Sequence, residues 1–230
     1  MDTTLWIAPS CSAVRRGPAA AALAVVALAI SMQPVFAGAE DRRKPNYLSP
    51  LEAEVVREIN RARTNPYAYA RHLEAWLEHY DGKVRRLPDS KPIATKEGVK
   101  AVREAIRYMR SAKALHALEP SRGMSLGARD HVRDMGPWGA LGHTGYDDSD
   151  TGERVNRHGK WGKRVGENIA YGSDRARDIV MRLIIDDGVS GRGHRHNLFD
   201  PEFYVIGVSF GPHEVYDTIC VVTLAGDYTE

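Results

Sequence analysis

Cysteine is all but missing from this sequence: 230 residues carry two. Cys11 precedes an apolar run and Cys220 stands alone in a β-rich stretch, so no pair remains to cross-link the folded part. A disulfide framework is excluded, and the chain must hold together by packing, which this length permits. Charge of one sign is missing too. The 32 basic and 30 acidic side chains leave a formal net charge of +2, with basic residues grouped only in pairs such as Arg42–Arg43 and Arg85–Arg86. That dispersal argues against nucleic acid as a partner. No apolar run reaches the length of a membrane span; Ala19 to Ile30 falls short. Internal repeats are absent. So are the H-E-x-x-H pattern of zinc hydrolases and the G-x-S-x-G pattern of serine nucleophiles.

The 43% hydrophobic and 27% charged composition suits one globular domain with an appendage. Residues 1–39 read as a secretory signal peptide. Arg15 and Arg16 precede the apolar run, Pro34 follows it, and Val35-Phe36-Ala37 and Ala37-Gly38-Ala39 offer small-residue cleavage sites. An uncleaved anchor is the alternative, and the sole membrane attachment the sequence offers. Residues 40–48 form a flexible tail, and residues 49–230 a single domain. The expected location is secreted or periplasmic.

Helices come first. Ser49, Pro50 and Glu52 form a capping box with proline at the first helical position. Leu51, Val55, Ile59 and Ala62 then make one stripe, ended by Asn65-Pro66. A second helix carries Tyr69, Leu73, Trp76 and Leu77. Tyr80 to Thr95 reads as a loop, and Val99 to Leu115 as a third helix. Ser121 caps a helix with His131 on its apolar face, where a core-edge histidine is the expected role. Asp150 and Glu153 form another box, although Asp147, Asp148 and Asp150 together could instead hold calcium. Ile169 to Tyr171 reads as a strand, and Ser173 or Asp174 caps the helix after it. Gly188, Gly191 and Gly193 make a flexible link. Tyr204–Phe210 and Ile219–Ala225 form a hairpin whose turn opens at Gly211-Pro212. Helices first and strands late point to an α+β fold with segregated layers.

Three polar residues stand beside glycines, in segments far apart: His143 in GHTGYDD, Glu167 in VGENIAYG and His194 in GRGHRHN. Glycine permits unusual backbone angles and close approach of a ligand. Two imidazoles and a carboxylate so placed suggest a shared polar site that only folding can assemble.

Leu51–Asn65 with its N-P ending, Gly142-His143-Thr144-Gly145, Gly166-Glu167-Asn168-Ile169-Ala170 and Gly193-His194-Arg195 resemble, in order and spacing, the CAP superfamily, also called the SCP or cysteine-rich-secretory-protein domain, in its bacterial branch. The likeness runs from Leu51 to Asp227. It implies an α-β-α sandwich with a small central antiparallel sheet between helices, and a cleft holding two histidines and two acids. His143 and His194 match the histidines and Glu167 the first acid. The second acid, a glutamate in the family, falls to Asp186 or Asp187, with Asp186 preferred. The cysteines of animal members are absent.

Two imidazoles of this kind can hold Zn²⁺ or another divalent cation, with the acids orienting their N–H groups. The same groups could instead be a hydrogen-bonded network that fixes loops. No organic cofactor is expected. The primary expectation is an extracellular binding or interaction module whose ligand is a lipid, a protein or a cell-wall component. The Tyr67–Trp76 segment is a candidate wall for an apolar ligand. Enzyme activity is the secondary expectation: a metal-assisted, protease-like hydrolase in the same cleft, with Thr144, Ser190 and Ser209 as available hydroxyls.

Overall fold

The computed structural model describes residues 47–87 and 92–230. The expected signal segment, most of the tail after it, and Cys11 lie outside the described residues. Helix starts follow from local side-chain chemistry. Ser49 accepts the Glu52 N–H at 3.3 Å and the Glu52 carboxylate accepts the Ser49 N–H at 2.7 Å, which opens α1 (Pro50–Thr64). Asn65 ends α1 and caps α2 (Pro66–Leu77) through the Ala68 N–H. Between α2 and α3 (Val99–Ser111) lies a stretch expected as loop. It contains the two-residue strands β1 (Tyr80–Asp81), β2 (Val84–Arg85) and β3 (Ile93–Ala94), paired antiparallel. α3 stops short of Leu115 because the Leu115 N–H goes to the Arg63 carbonyl instead of a helical partner.

The short strand β4 (Glu119–Pro120) leads into α4 (Arg122–Met135), capped by Ser121. The Asp150–Glu153 box forms as expected and opens α5 (Thr151–Asn156). Then follow β5 (Lys160–Tyr171), α6 (Ala176–Ile185), α7 (Gly193–Leu198), β6 (Val205–His213) and β7 (Asp217–Thr229). Three sequence expectations are corrected here. Neither Ser173 nor Asp174 caps α6; Arg175 occupies that position with no side-chain cap. The glycine-rich link before His194 is a short 3₁₀ turn, Ser190–Arg192, running into α7. Gly211-Pro212 lies inside β6, and the turn falls at residues 214–216. β6 has a free edge at Pro212, because β4 pairs only with Val205 and Ile206, so the missing N–H costs no ladder bond there.

The main sheet has the order β4-β6-β7-β5 and is antiparallel except for the two-residue pairing of β4 with β6. Its side chains alternate between two helical layers. Ala170, Ile206, Val208, Cys220, Val222 and Leu224 pack with α1, α2, α3 and α6. Ile169, Ile219 and Val221 pack with Ala128, Val132 and Met135 of α4, and Ala225 with Met124 and Val155. Period-two alternation with helices on both faces is an α-β-α sandwich of the α+β class. Each fully buried side chain such as Ile59, Leu73 or Ile184 contributes about 1.5–3 kcal/mol.

Two close fits fix the layers. Gly207 lets β6 lie against the α4 backbone, where a Cβ would stand 2.2 Å from the Met124 carbonyl carbon. Arg63, fully buried, donates to the carbonyls of Leu198, Asp200, Phe203 and His116 and ties α1 to the loop after α7.

Candidate functional site

Glu167 sits on β5, the edge strand opposite β4, two residues before Ile169 and so facing the α4 and α5 layer. It is within a regular ladder, opposite Thr223, and not in the glycine-flanked break expected from sequence. Its carboxylate is almost wholly buried. Arg154 of α5, equally buried, donates to both Glu167 oxygens at 3.1 and 2.9 Å. The same guanidinium reaches the Ser149 and His143 carbonyls. His143 Nδ1 lies 2.8 Å from Glu167 Oε1. Burial alone would raise the Glu167 pKa, but the His143 hydrogen bond and the Arg154 charge outweigh it and the pKa is lowered.

The Gly142-His143 loop is pegged from three elements. Tyr171 at the end of β5 accepts the Gly142 N–H at 3.3 Å. His131 on α4 holds the Gly142 carbonyl at 2.9 Å, and Arg154 holds the next carbonyl. Gly142 takes φ of 109°, a region that favours glycine. His131 is fully buried and its Nδ1 has no partner among the described residues, so Nε2 is the donor and the ring is neutral. Burial pushes its pKa down, against the pull of Glu167. The imidazole expected at the edge of the core is thus deep within it, supporting the loop that carries His143.

On the other face, α6 ends at Asp186, whose backbone is left-handed (φ 55°). Its buried carboxylate accepts the backbone N–H of His194 at 2.9 Å and contacts His194 Nδ1 at 2.7 Å. Asp187 points elsewhere and accepts the N–H groups of Lys96, Glu97 and Gly98. His194 therefore rests on α7 against Asp186, and Gly193 beside it has ordinary helical angles. Asn168 follows Glu167 on the opposite face and donates to the His194 carbonyl at 2.9 Å, while Asn197 donates to the Asn168 side-chain oxygen.

The two halves meet over the sheet edge, with the His143 and His194 ring centroids 6.4 Å apart. Each imidazole spends Nδ1 on a buried carboxylate, and neither Nε2 has a partner among the described residues. Carboxylates in this position fix the tautomer that presents Nε2 as a lone-pair donor. Among the described residues no group of three or more His, Cys, Asp or Glu could hold a metal. The reason is visible: Glu167 is spent on Arg154 and His143, and Asp186 on His194 and the start of α7. What the protein offers an ion is two imidazole nitrogens. Arg154 and Asn197 have no role in the sequence reading, which takes His131 as a core-edge histidine and Asn168 only as part of a motif; the one local signal for Arg154 is its place on the short helix that the Asp150 box opens.

Other candidates are placed apart. Thr144 and Ser190 are exposed, Ser209 is buried in β6, and none of the three is hydrogen-bonded to His143 or His194 among the described residues. Asp147 is held by Ser149 and Arg157, and Asp150 by its capping box. Tyr69 and Leu73 are core, Tyr69 donating to Glu58 at 3.0 Å, and Tyr67 is exposed. Beside His194 opens a cleft of about 630 Å³ lined by apolar side chains including Leu141, Ile169, Leu183 and Ile185, with Tyr171 and Asp186 at the same wall.

The profile of the cysteine-rich secretory protein family, CAP, matches residues 103–224, more than half of the chain. No curated protein matches it. Similar solved structures include an extracellular protein containing an SCP domain from Bacillus anthracis (23% identity, TM-score 0.41, 53% of this chain and 37% of that one). An outer surface protein from Borrelia burgdorferi gives 17% identity, a TM-score of 0.41 and coverage of 48% and 78%. A cysteine-rich secretory protein from Staphylococcus aureus gives 8% identity, a TM-score of 0.37 and coverage of 62% and 46%. The chain thus spans well under two thirds of the Bacillus and Staphylococcus proteins. No helix among the described residues is long and apolar enough to cross a membrane.

Proposed function

Since the chain belongs to the cysteine-rich secretory protein family, we propose that it is an exported binding module whose histidine pair takes a divalent metal ion beside an apolar cleft. One observation carries this reading: two imidazoles at the sheet edge, each with Nδ1 committed to a buried carboxylate and Nε2 left over. His143 and His194 would hold the ion, and Glu167 and Asp186 would orient them. Two protein donors give a weak, exchangeable site, open to groups from a ligand; a structural zinc site needs four. Zn²⁺ suits imidazole donors, and the other late divalent ions compete. The neighbouring cleft has room and apolar walls for a small lipid or another ligand with an apolar body. Export is supported by the signal-like residues 1–39.

Calorimetric titration with Zn²⁺ tests the reading. Binding heat is expected for the native chain and absent for a His143→Ala, His194→Ala double variant; equal heat in both would sink it. A hydrolase reading rests on the same residues, where an ion held by His143 and His194 would supply Lewis-acid chemistry. It gains no support from a hydroxyl partner, because no Ser or Thr is hydrogen-bonded to either imidazole among the described residues. Peptide or ester turnover that needs Zn²⁺ and is lost in Glu167→Ala would favour it over pure binding.

A further inference from the structure

A second cavity, of about 710 Å³, lies between α2, the start of α6 and the β1–β2 hairpin. Its wall holds Arg85, Arg175, Arg182 and Asp178, with Trp76 and His72 from α2. None of these residues belongs to the histidine pair or to its carboxylates.

Arg177, also on this wall, pairs with Glu58, but Arg85 and Arg182 are unlike the other buried arginines. Arg154 pairs with Glu167, Arg195 with Glu104, and Arg63 is saturated by carbonyls. Arg85 is 4% exposed, yet its guanidinium has no hydrogen bond and no carboxylate within 4.0 Å among the described residues; it lies over the Trp76 ring, 4.8 Å from Cζ to centroid. Arg182 donates to the Tyr171 carbonyl at 2.6 Å and likewise lacks an acid partner among the described residues. The two cations are near enough to oppose each other: burial and then Arg85 lower the Arg182 pKa. Asp178 is the nearest acid by its electrostatic effect, but it forms no ion pair among the described residues, and burial pushes its pKa up in spite of Arg175, Arg85 and Arg182.

Neither guanidinium has a carboxylate partner among the described residues, and a charge largely withdrawn from water is costly without one. The planar guanidinium fork matches an oxyanion, and stacking on Trp76 holds that of Arg85 in place. We propose that this cavity is an anion-recognition site, in which Arg85 and Arg182 bind the carboxylate or phosphate group of a small organic ligand and Arg175 guards the mouth. The volume exceeds what a bare ion needs, so the anion is one end of a larger molecule. The cavity shares Arg85, Arg182, Ile93 and Gly172 with the apolar cleft beside His194, so a ligand held here has a path toward that cleft. The anion site stands whether or not the histidines bind metal.

The test is a titration of the metal-free protein with inorganic phosphate and, separately, acetate, followed by NMR of the arginine Nε–H and tryptophan Nε1–H groups. Saturable shifts at Arg85, Arg182 and Trp76 are expected with at least one anion, and which anion acts distinguishes a phosphate from a carboxylate ligand. Arg85→Gln and Arg182→Gln should each weaken binding about tenfold or more. Arg175→Gln, at an exposed side chain that makes no hydrogen bond or ion pair among the described residues, should weaken it less but measurably, and decides the matter if the buried variants fail to fold. Arg107→Gln, on α3 and outside the cavity, should leave it unchanged. No saturable shift with either anion, or equal affinity in Arg175→Gln and a folded Arg85→Gln, would overturn the proposal.

Discussion

Arg154 lays one guanidinium nitrogen against both carboxylate oxygens of Glu167, in a pocket from which both side chains are almost fully excluded from water. The pair is the support on which the His143 side of the site rests. Replacing Arg154 with Met would leave the carboxylate buried and uncompensated. Such a loss costs about 3–5 kcal/mol, and urea denaturation should read it as a lower midpoint. Glu167→Gln together with Arg154→Met should recover part of that loss, since neither charge is then stranded.

Acid should weaken the fold in two windows. The pKa of His131 is lowered by burial, so below its ordinary 6.5 the unfolded chain takes up a proton that the folded one refuses. Stability from this group is complete above 6.5 and is lost as pH falls toward the lowered value. Glu167 has a lowered pKa as well. Its contribution is complete above its ordinary 4.5 and is lost as pH falls through the folded value. The urea midpoint should therefore drop in both ranges, the first drop shrinking in His131→Gln and the second in Glu167→Gln. A flat midpoint from neutral pH down to the carboxylate range would contradict both assignments.

Arg63 supplies a prediction about assembly. Its removal in Arg63→Leu leaves the carbonyls of Leu198, Phe203 and Asp200 without their donor. A destabilisation of about 3 kcal/mol or more is expected, with the melting temperature falling by several degrees in calorimetry.

Cys220 should be chemically silent in the native protein. It is 1% exposed, and burial pushes its thiol pKa up to about 12. Mass spectrometry after treatment with an alkylating reagent should find the Cys220 peptide unmodified under native conditions and labelled after denaturation. Native labelling would mean that β7 opens readily.

Where the sequence is explicit, the chemistry is local. The Ser49 and Asp150 boxes involve partners three residues apart, so their helices begin where the residues say. β5 was half hidden because Lys160, Lys163 and Arg164 give its first part a polar face, which an edge strand with a register shift between Gly162 and Val165 can leave in water. Pro212 read as a turn because proline seldom sits in a strand, and only the free edge of β6 makes room for it. In the site, glycine neighbours drew attention to His143, Glu167 and His194. The partners that hold them, Arg154, His131 and Asn168, carry no such mark: nothing local tells a buried arginine from a solvated one, and the choice is made by tertiary contacts.

The loop between α4 and α5 is gripped along its length: His213 meets the Ala140 carbonyl, Tyr171, His131 and Arg154 hold Gly142 and His143, Asp134 accepts the Tyr146 N–H, and Arg154 donates to the Ser149 carbonyl. The imidazole thus stands between two fixed stretches of backbone, and its address is a property of the whole loop rather than of a single anchor.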